Sequence, residues 1–472
     1  MKPASTTRLR RTARRRRLLL GASAGVLLLG CAARPPVPDT ADPYPPIVFV
    51  HGNGDSAALW NTTVWRFESN GWPRDRLFAI DLPYPLARDE DDKPQPGRTS
   101  IAQYRQFLAA EVDRVRRRTG VAKVVLVGNS RGGYAIRSYV ATAGPARVSH
   151  VILGGTPNHG VRDDPANRPM NEFNGAGPFL RGLNSPKGPN GDEVTAGVRW
   201  LTIRSDNNDK FAQPDGVWLG AKGTPTHVGF DGPALRGAEN VVIAGADHRE
   251  TSFSAKAFAE TWRFITGRPP ATLAIVAEPQ VVLDGKVFGL GIDNQPGGGQ
   301  FANNLPLAGA TVEVYATDPA TGERSGPASH RKTVGADGRW GPFAADGRTS
   351  YEFVVSAPGF ATTHIYRRGF ARSSSLIHLR AERIADADRD ARSVVTLTRP
   401  RGYLGIPRDD ISLDGLSPPA GIPAGVAGVS TARLKLPGGV GRSVAGVFNG
   451  ERVVGRAWPT ADNHVVLLEL SE

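Results

Sequence analysis

A single cysteine in 472 residues excludes an internal disulfide, so stability has to come from packing. Long hydrophobic runs are also missing. The apolar stretch at residues 18–29 has 12 residues, too short to cross a bilayer. Acidic residues are absent from residues 1–30, which hold Lys2, Arg8, Arg10, Arg11, Arg14, Arg15, Arg16 and Arg17. Without those eight cations the formal charge of +13 falls to +5, so the basic character belongs largely to the N-terminus. The remaining arginines are scattered rather than clustered with aromatics, which argues against a nucleic-acid partner. What is present, 40% hydrophobic and 22% charged residues, is an ordinary globular mixture. The length predicts two or three domains.

Residues 1–31 read as an export signal: a basic stretch to Arg17, the short apolar run, then Leu28-Leu29-Gly30-Cys31. This ending resembles the lipobox of bacterial lipoproteins, and the arginine pairs resemble a twin-arginine signal. The lipobox resemblance implies that Cys31 is lipidated, anchoring an exported chain to a membrane of the cell envelope; if Cys31 is instead lost with the cleaved signal, the chain is secreted. Residues 32–46, rich in proline and polar side chains, read as a tether.

The chain is organised around Lys123–Gly133, KVVLVGNSRGG. Residues 124–127 form an apolar run of the kind buried on both faces of a parallel sheet. The run breaks at Gly128-Asn129-Ser130-Arg131-Gly132, a G-x-S-x-G pattern, and Tyr134, Ala135, Ile136, Tyr139 and Val140 then follow at helical spacing. Among 56 glycines the pattern alone could arise by chance. Strand before and helix after are the context that a nucleophile elbow requires. Glycines flanking the serine keep side chains out of a strained turn, and the next amide starts a helix, where negative charge is favoured.

Before this stretch, Ile47–Val50 reads as a buried strand leading into His51-Gly52-Asn53-Gly54-Asp55. Residues 57–67 read as helical and 77–82 as a strand, whose Asp81 is expected to be structural. Residues 100–118 read as a helix with a Ser100/Gln103 capping box and Gly120 beyond its end. After the stretch come strands at 150–155, 200–203 and 241–245, and a helix at 252–266. The irregular segment 161–197 carries Phe173, Phe179, Leu180 and Leu183, which read as a lid or acyl-pocket wall, or equally as a packed surface excursion. Asp206 and Asp209 compete as an acid after the 200–203 strand. His248 follows the last strand and precedes the last helix; His51, His159 and His227 are its rivals as a base.

Gly267-Arg268-Pro269-Pro270 marks a boundary, placing a catalytic domain at 47–268. Beyond it the pattern turns to strands and Asp-Gly and Asn-Gly turns. Residues 308–360 resemble carboxypeptidase-regulatory or transthyretin-like β-sandwiches, giving a module at 271–385. Residues 386–472 are either a second β module or the completion of the first. No catalytic constellation is visible there.

Together, residues 128–132, His51-Gly52-Asn53-Gly54, the D-x-x-x-Q-P segment 209–214 and Asp247-His248 resemble the α/β-hydrolase lipases often called class 2 lipases. The resemblance covers about residues 47–266. It implies an α/β fold, a doubly wound and mostly parallel sheet, followed here by all-β C-terminal structure. It implies a serine carboxylic ester hydrolase with Ser130 as nucleophile, Asp209 as acid, in preference to Asp206, and His248 as base. The backbone N–H groups of Asn53 and Arg131 would form the oxyanion hole. No metal or organic cofactor is required, and the partner is an ester or lipid substrate. The pattern departs from the family at Asn129, where many lipases have histidine, and at Arg131, where many have a small or apolar residue. Arg131 is expected to favour an acidic or polar substrate group. A polyester depolymerase or envelope transacylase would use the same triad, and product analysis with a polymer or an alcohol acceptor separates these. A lipid-anchored binding protein on an inactive scaffold would fail to react with a fluorophosphonate.

Overall fold

Alternation along Ile47–Val50 (β1) sets the two faces of the central sheet. Ile47 and Phe49 enter one apolar core and Val48 and Val50 the other, all fully buried. In the computed structural model, which describes residues 43–206, 208–212, 231–289 and 303–472, β1 pairs in parallel with Leu77–Ala79 (β2) and Val124–Asn129 (β3). Val148–Gly154 (β4), Arg199–Ser205 (β5) and Glu239–Ile243 (β6) extend the sheet in the order β2-β1-β3-β4-β5-β6, every pairing parallel. Cys31 and the rest of residues 1–42, His227, and the Gln213-Pro214 end of the acid segment lie outside the described residues.

Helices cover both faces, as parallel strands that are apolar on both sides demand. Ile101–Thr119 (α2) starts at the Ser100/Gln103 capping box and ends at Gly120, whose φ of 72° is the left-handed cap. It packs with Arg131–Ala143 (α3) on one core. Asn61–Ser69 (α1) and Ala255–Thr266 (α4) cover the other, where Phe67, Trp72, Phe258 and Trp262 meet with ring centroids 5.1–5.9 Å apart. Each such pair contributes about 0.5–1.5 kcal/mol beyond burial. The helix expected at 252–266 is broken at Ser254: this residue is extended, with ψ 160°, and its hydroxyl caps α4 by accepting from the Ala257 N–H. A short turn, Glu250–Phe253, precedes it.

After Gly267 the regular structure among the described residues is β, apart from short helical turns such as Asp386–Asp388 and Thr460–Asp462. A seven-stranded sheet runs in the order 330–333, 311–317, 350–356, 362–367, 464–469, 393–398, 431–436. His464–Glu469 lies between Thr362–Arg367 and Ser393–Thr398, parallel to both. Strands 393–398, 431–436 and 464–469 thus share a sheet with strands of 311–367, while 411–413, 443–448 and 451–456 form a separate three-stranded sheet. The β region is also bonded to the hydrolase-like part. Trp65 Nε1 donates to Ser373 O at 2.9 Å, and Asn304 Nδ2 donates to the carbonyls of Asp55 and Leu82. Asp81 is structural as expected. Its carboxylate accepts from Ala57 N–H and pairs with Lys286 and His378, which hold it well below the usual range against the opposing effect of burial.

Candidate active site

Ser130 sits between β3 and α3 with φ 51° and ψ −121°, a left-handed conformation costly for a residue with a Cβ. The surroundings over-determine it. Its N–H donates to Gly154 O at 2.8 Å, and its carbonyl accepts from Gly133 N–H and Thr156 Oγ1. The flanking glycines are steric requirements. A Cβ at Gly128 would lie 2.6 Å from Ile136, and one at Gly132 would lie 2.5 Å from the carbonyl oxygens of Val50 and His51. This close approach of α3 to the end of β1 brings the His51–Gly54 loop onto the serine. A Cβ at Gly52 would be 3.1 Å from that of Ser130.

The loop is fixed from several sides. Tyr104 Oη donates to His51 O at 2.7 Å. Asn53 Oδ1 accepts from Ala87 N–H at 2.7 Å. The ring of His51 is fully buried, and its Nε2 accepts from Leu82 N–H, leaving Nδ1 as the donor to Gly52 O. Burial lowers its pKa, so the ring is a neutral structural element rather than a base. Asn53 lines the cavity beside Ser130, and Arg131 begins α3, where first-turn amides lack partners within the helix.

His248 is buried in the loop after β6. Its Nδ1 lies 3.0 and 2.9 Å from the carboxylate oxygens of Asp209, and its ring meets Phe211 edge-on at 4.6 Å. With Nδ1 donating to a carboxylate, Nε2 carries the lone pair. That Nε2 is buried without a hydrogen-bond partner, in a ring that lines the same cavity as Ser130. Asn129 ties the two loops together: its amide donates to Ser252 Oγ at 2.8 Å and to the carbonyls of Gly154 and His248. Asp206 has another task. It accepts from Asn208 and Gly245 N–H and from Ser205 Oγ, closing the β5–β6 turns. His159 pairs with Glu193 at 3.2 Å. Burial, the largest influence, lowers its pKa against the pull of Glu193.

The cavity has a volume of about 190 Å³. Asn53, Ser130, His248 and Arg249 supply polar groups, and Val161, Phe173 and Phe211 supply apolar wall. Of the lid candidates, Phe173 lines this cavity. The others do not. Leu180 and Leu183 are buried in the core with α3, and Phe179 packs on Tyr134 at 5.7 Å. All three lie on the short helix Pro178–Leu183. Its apolar spacing suits either role, and Tyr134 provides the docking surface.

Arg131 also departs from expectation. Its side chain is fully buried and takes no part in lining the cavity. The guanidinium forms two bonds to Glu172, at 2.7 and 2.9 Å, and donates to Pro85 O, Thr99 O and Thr99 Oγ1. It cannot read a substrate charge; it fastens segments 85–99 and 172 beside the serine. Burial pushes the Glu172 carboxyl up, opposed by Arg131. Breaking a buried pair strands the other charge, so Glu172→Leu is expected to cost about 3–5 kcal/mol and lower the thermal unfolding midpoint clearly. A midpoint unchanged within a degree would contradict this account of the pair. Among the described residues no cluster of three or more His, Cys, Asp or Glu could hold a metal ion.

Two family models match parts of the chain. Residues 45–181 match that of the alpha/beta hydrolase fold, and residues 279–384 match that of the Lipase C-terminal domain. A non-heme haloperoxidase of Rhodococcus erythropolis is 27% identical over 174 residues, 32% of this chain and 57% of that protein. The chain thus spans little more than half the length of this curated relative. Among solved structures, Bacillus licheniformis lipase BlEst2 in propeptide form has 16% identity over 66% of this chain and 90% of its own, with a TM-score of 0.35. Aspergillus fumigatus lipase B has 15% identity over 49% of this chain and 55% of its own, with a TM-score of 0.33. Over these two stretches the chain is similar to the alpha/beta hydrolase fold and, further on, to the Lipase C-terminal domain.

Proposed function

We propose that the protein is a carboxylic ester hydrolase of the lipase and esterase kind, working through an acyl-enzyme on Ser130. The observation that carries this reading is the pairing of Asp209 with His248 Nδ1 while Nε2, unpartnered, belongs to a ring lining the cavity with Ser130. In the acylation step Ser130 Oγ attacks the ester carbonyl carbon and its proton passes to His248 Nε2. The carbonyl oxygen becomes an oxyanion, and in this reading the backbone N–H groups of Asn53 and Arg131 donate to it. One such donor contributes about 3–4 kcal/mol to the transition state. As the intermediate collapses, the C–O bond to the alcohol breaks and His248 returns the proton to the leaving alkoxide. Water repeats the sequence on the acyl-enzyme, releasing the acid and restoring Ser130. Asp209 holds the imidazole in the tautomer this requires and stabilises the imidazolium.

A fluorophosphonate probe tests the assignment directly. It should add one phosphonyl group per chain, located by peptide mass spectrometry on Ser130, and His248→Ala should slow that labelling at least a hundredfold. Labelling confined to another serine, or none, would remove the basis for the reading.

A further inference from the structure

One wall of the cavity comes from the other end of the chain. Tyr403, in the loop after the strand Ser393–Thr398, lines it together with Ser130, His248, Phe173 and Phe211. Its backbone is held at both ends. The N–H donates to Asp247 Oδ2 at 2.8 Å, and the carbonyl accepts from Arg399 at 2.7 Å and Arg408 at 2.9 Å. Two cations lie over its ring, Lys210 Nζ 3.9 Å and the Arg249 guanidinium carbon 4.8 Å from the centroid. A ring clamped in this way is a fixed wall rather than a mobile flap.

The same loop holds the residues that present the imidazole and its acid. Asp247, fully buried and immediately before His248, accepts from Arg249 and Glu250 N–H through Oδ1 and from Arg399 and Tyr403 through Oδ2. On the acid side, Lys210 Nζ donates to Gly428 O, Asn208 Oδ1 accepts from Ala427 N–H, and Asp209 forms a β-bridge with Ala427. Leu404 in turn bonds back to Val429. The loop 399–410 and the segment 427–429 therefore reach the catalytic side of the hydrolase domain as one bonded unit.

We propose that Tyr403 is a specificity-determining residue of the ester-binding cavity: its ring, supplied by the C-terminal β region, sets how bulky a group next to the scissile carbonyl can be accommodated. This rests on the ester-hydrolase reading above. A rigid aromatic wall excludes bulk by overlap, so removing it should favour larger substrates selectively instead of weakening every substrate equally.

The test uses the full chain and a series of p-nitrophenyl esters that differ only in the acyl group. For Tyr403→Ala the ratio of kcat/KM for a bulky acyl group to that for acetate should rise at least tenfold over the parent. Tyr403→Phe, which keeps the ring, should retain the parent ratio. Tyr403→Trp, which adds volume to the same wall, should move the ratio the other way. This variant also decides the matter if the alanine variant fails to fold. An active parent whose ratio is unmoved by either size change, or which loses activity uniformly across the series, overturns the assignment of Tyr403 alone. A parent that hydrolyses none of the esters and does not take up the fluorophosphonate overturns the hydrolase reading, and this assignment with it.

Discussion

Replacing Ser130 by alanine should lower ester turnover at least about 10⁴-fold, because the proposed acyl-enzyme forms on its hydroxyl. The protein should remain folded. The bonds that fix this residue run through its backbone, to Gly154, Gly133 and Thr156, and alanine keeps all of them. Alanine at φ 51° carries about the same strain as serine, since both have a Cβ. Hydrolysis of p-nitrophenyl acetate and a thermal melt on the same preparation are sufficient measurements. Turnover within tenfold of the parent would mean that the nucleophile lies elsewhere. A large fall in the melting midpoint would mean that the hydroxyl also holds the turn together.

The parts of this site that follow local rules are legible in the amino-acid sequence. Gly128 and Gly132 around Ser130 meet steric limits set within one strand–helix connection, so the residue pattern carries the geometry. The alternation of Ile47 to Val50 and the Ser100/Gln103 cap are similarly local. The nearness of His248 to the end of β6 follows from the order of elements.

Long-range partnerships are not legible in this way. An arginine after the serine looks as if it should face the substrate, and only the fold brings Glu172, 41 residues on, to bury it. Leu180 and Leu183 have the spacing of a lid and of a packed turn alike, and only the fold shows that they join the core with α3. Tyr403 is the hardest of all to find from its neighbours in the chain. Its bond to Asp247 spans 156 positions and joins two domains that composition separates. His464–Glu469 pairs in parallel with two strands and so places Ser393–Thr398, from which the loop to Tyr403 departs, in the same sheet as Thr362–Arg367. A parallel pairing with such a separation leaves no trace in either segment.

The choice between the two acids yields the second large effect. Asp209→Asn should reduce turnover by as much as about 10⁴-fold, whereas Asp206→Asn should stay within about tenfold of the parent. The physical difference lies in what each carboxylate accepts. Asp209 takes a proton-bearing nitrogen, His248 Nδ1, at 2.9–3.0 Å, and also the Phe211 N–H. An asparagine in that place can turn its NH₂ toward Nδ1, which then has to accept. The proton moves to Nε2, and the ring can no longer take one from Ser130. Among the described residues the Asp206 carboxylate accepts from the Asn208 and Gly245 amides and the Ser205 hydroxyl, and its neutral amide analogue can still accept through its oxygen. Weakening those bonds costs about 1 kcal/mol of loop stability and leaves the imidazole tautomer alone. Steady-state rates for the two variants, measured beside their melting curves, separate the roles. Greater damage from Asp206→Asn would transfer the acid to that residue and leave the contact between Asp209 and His248 a structural one.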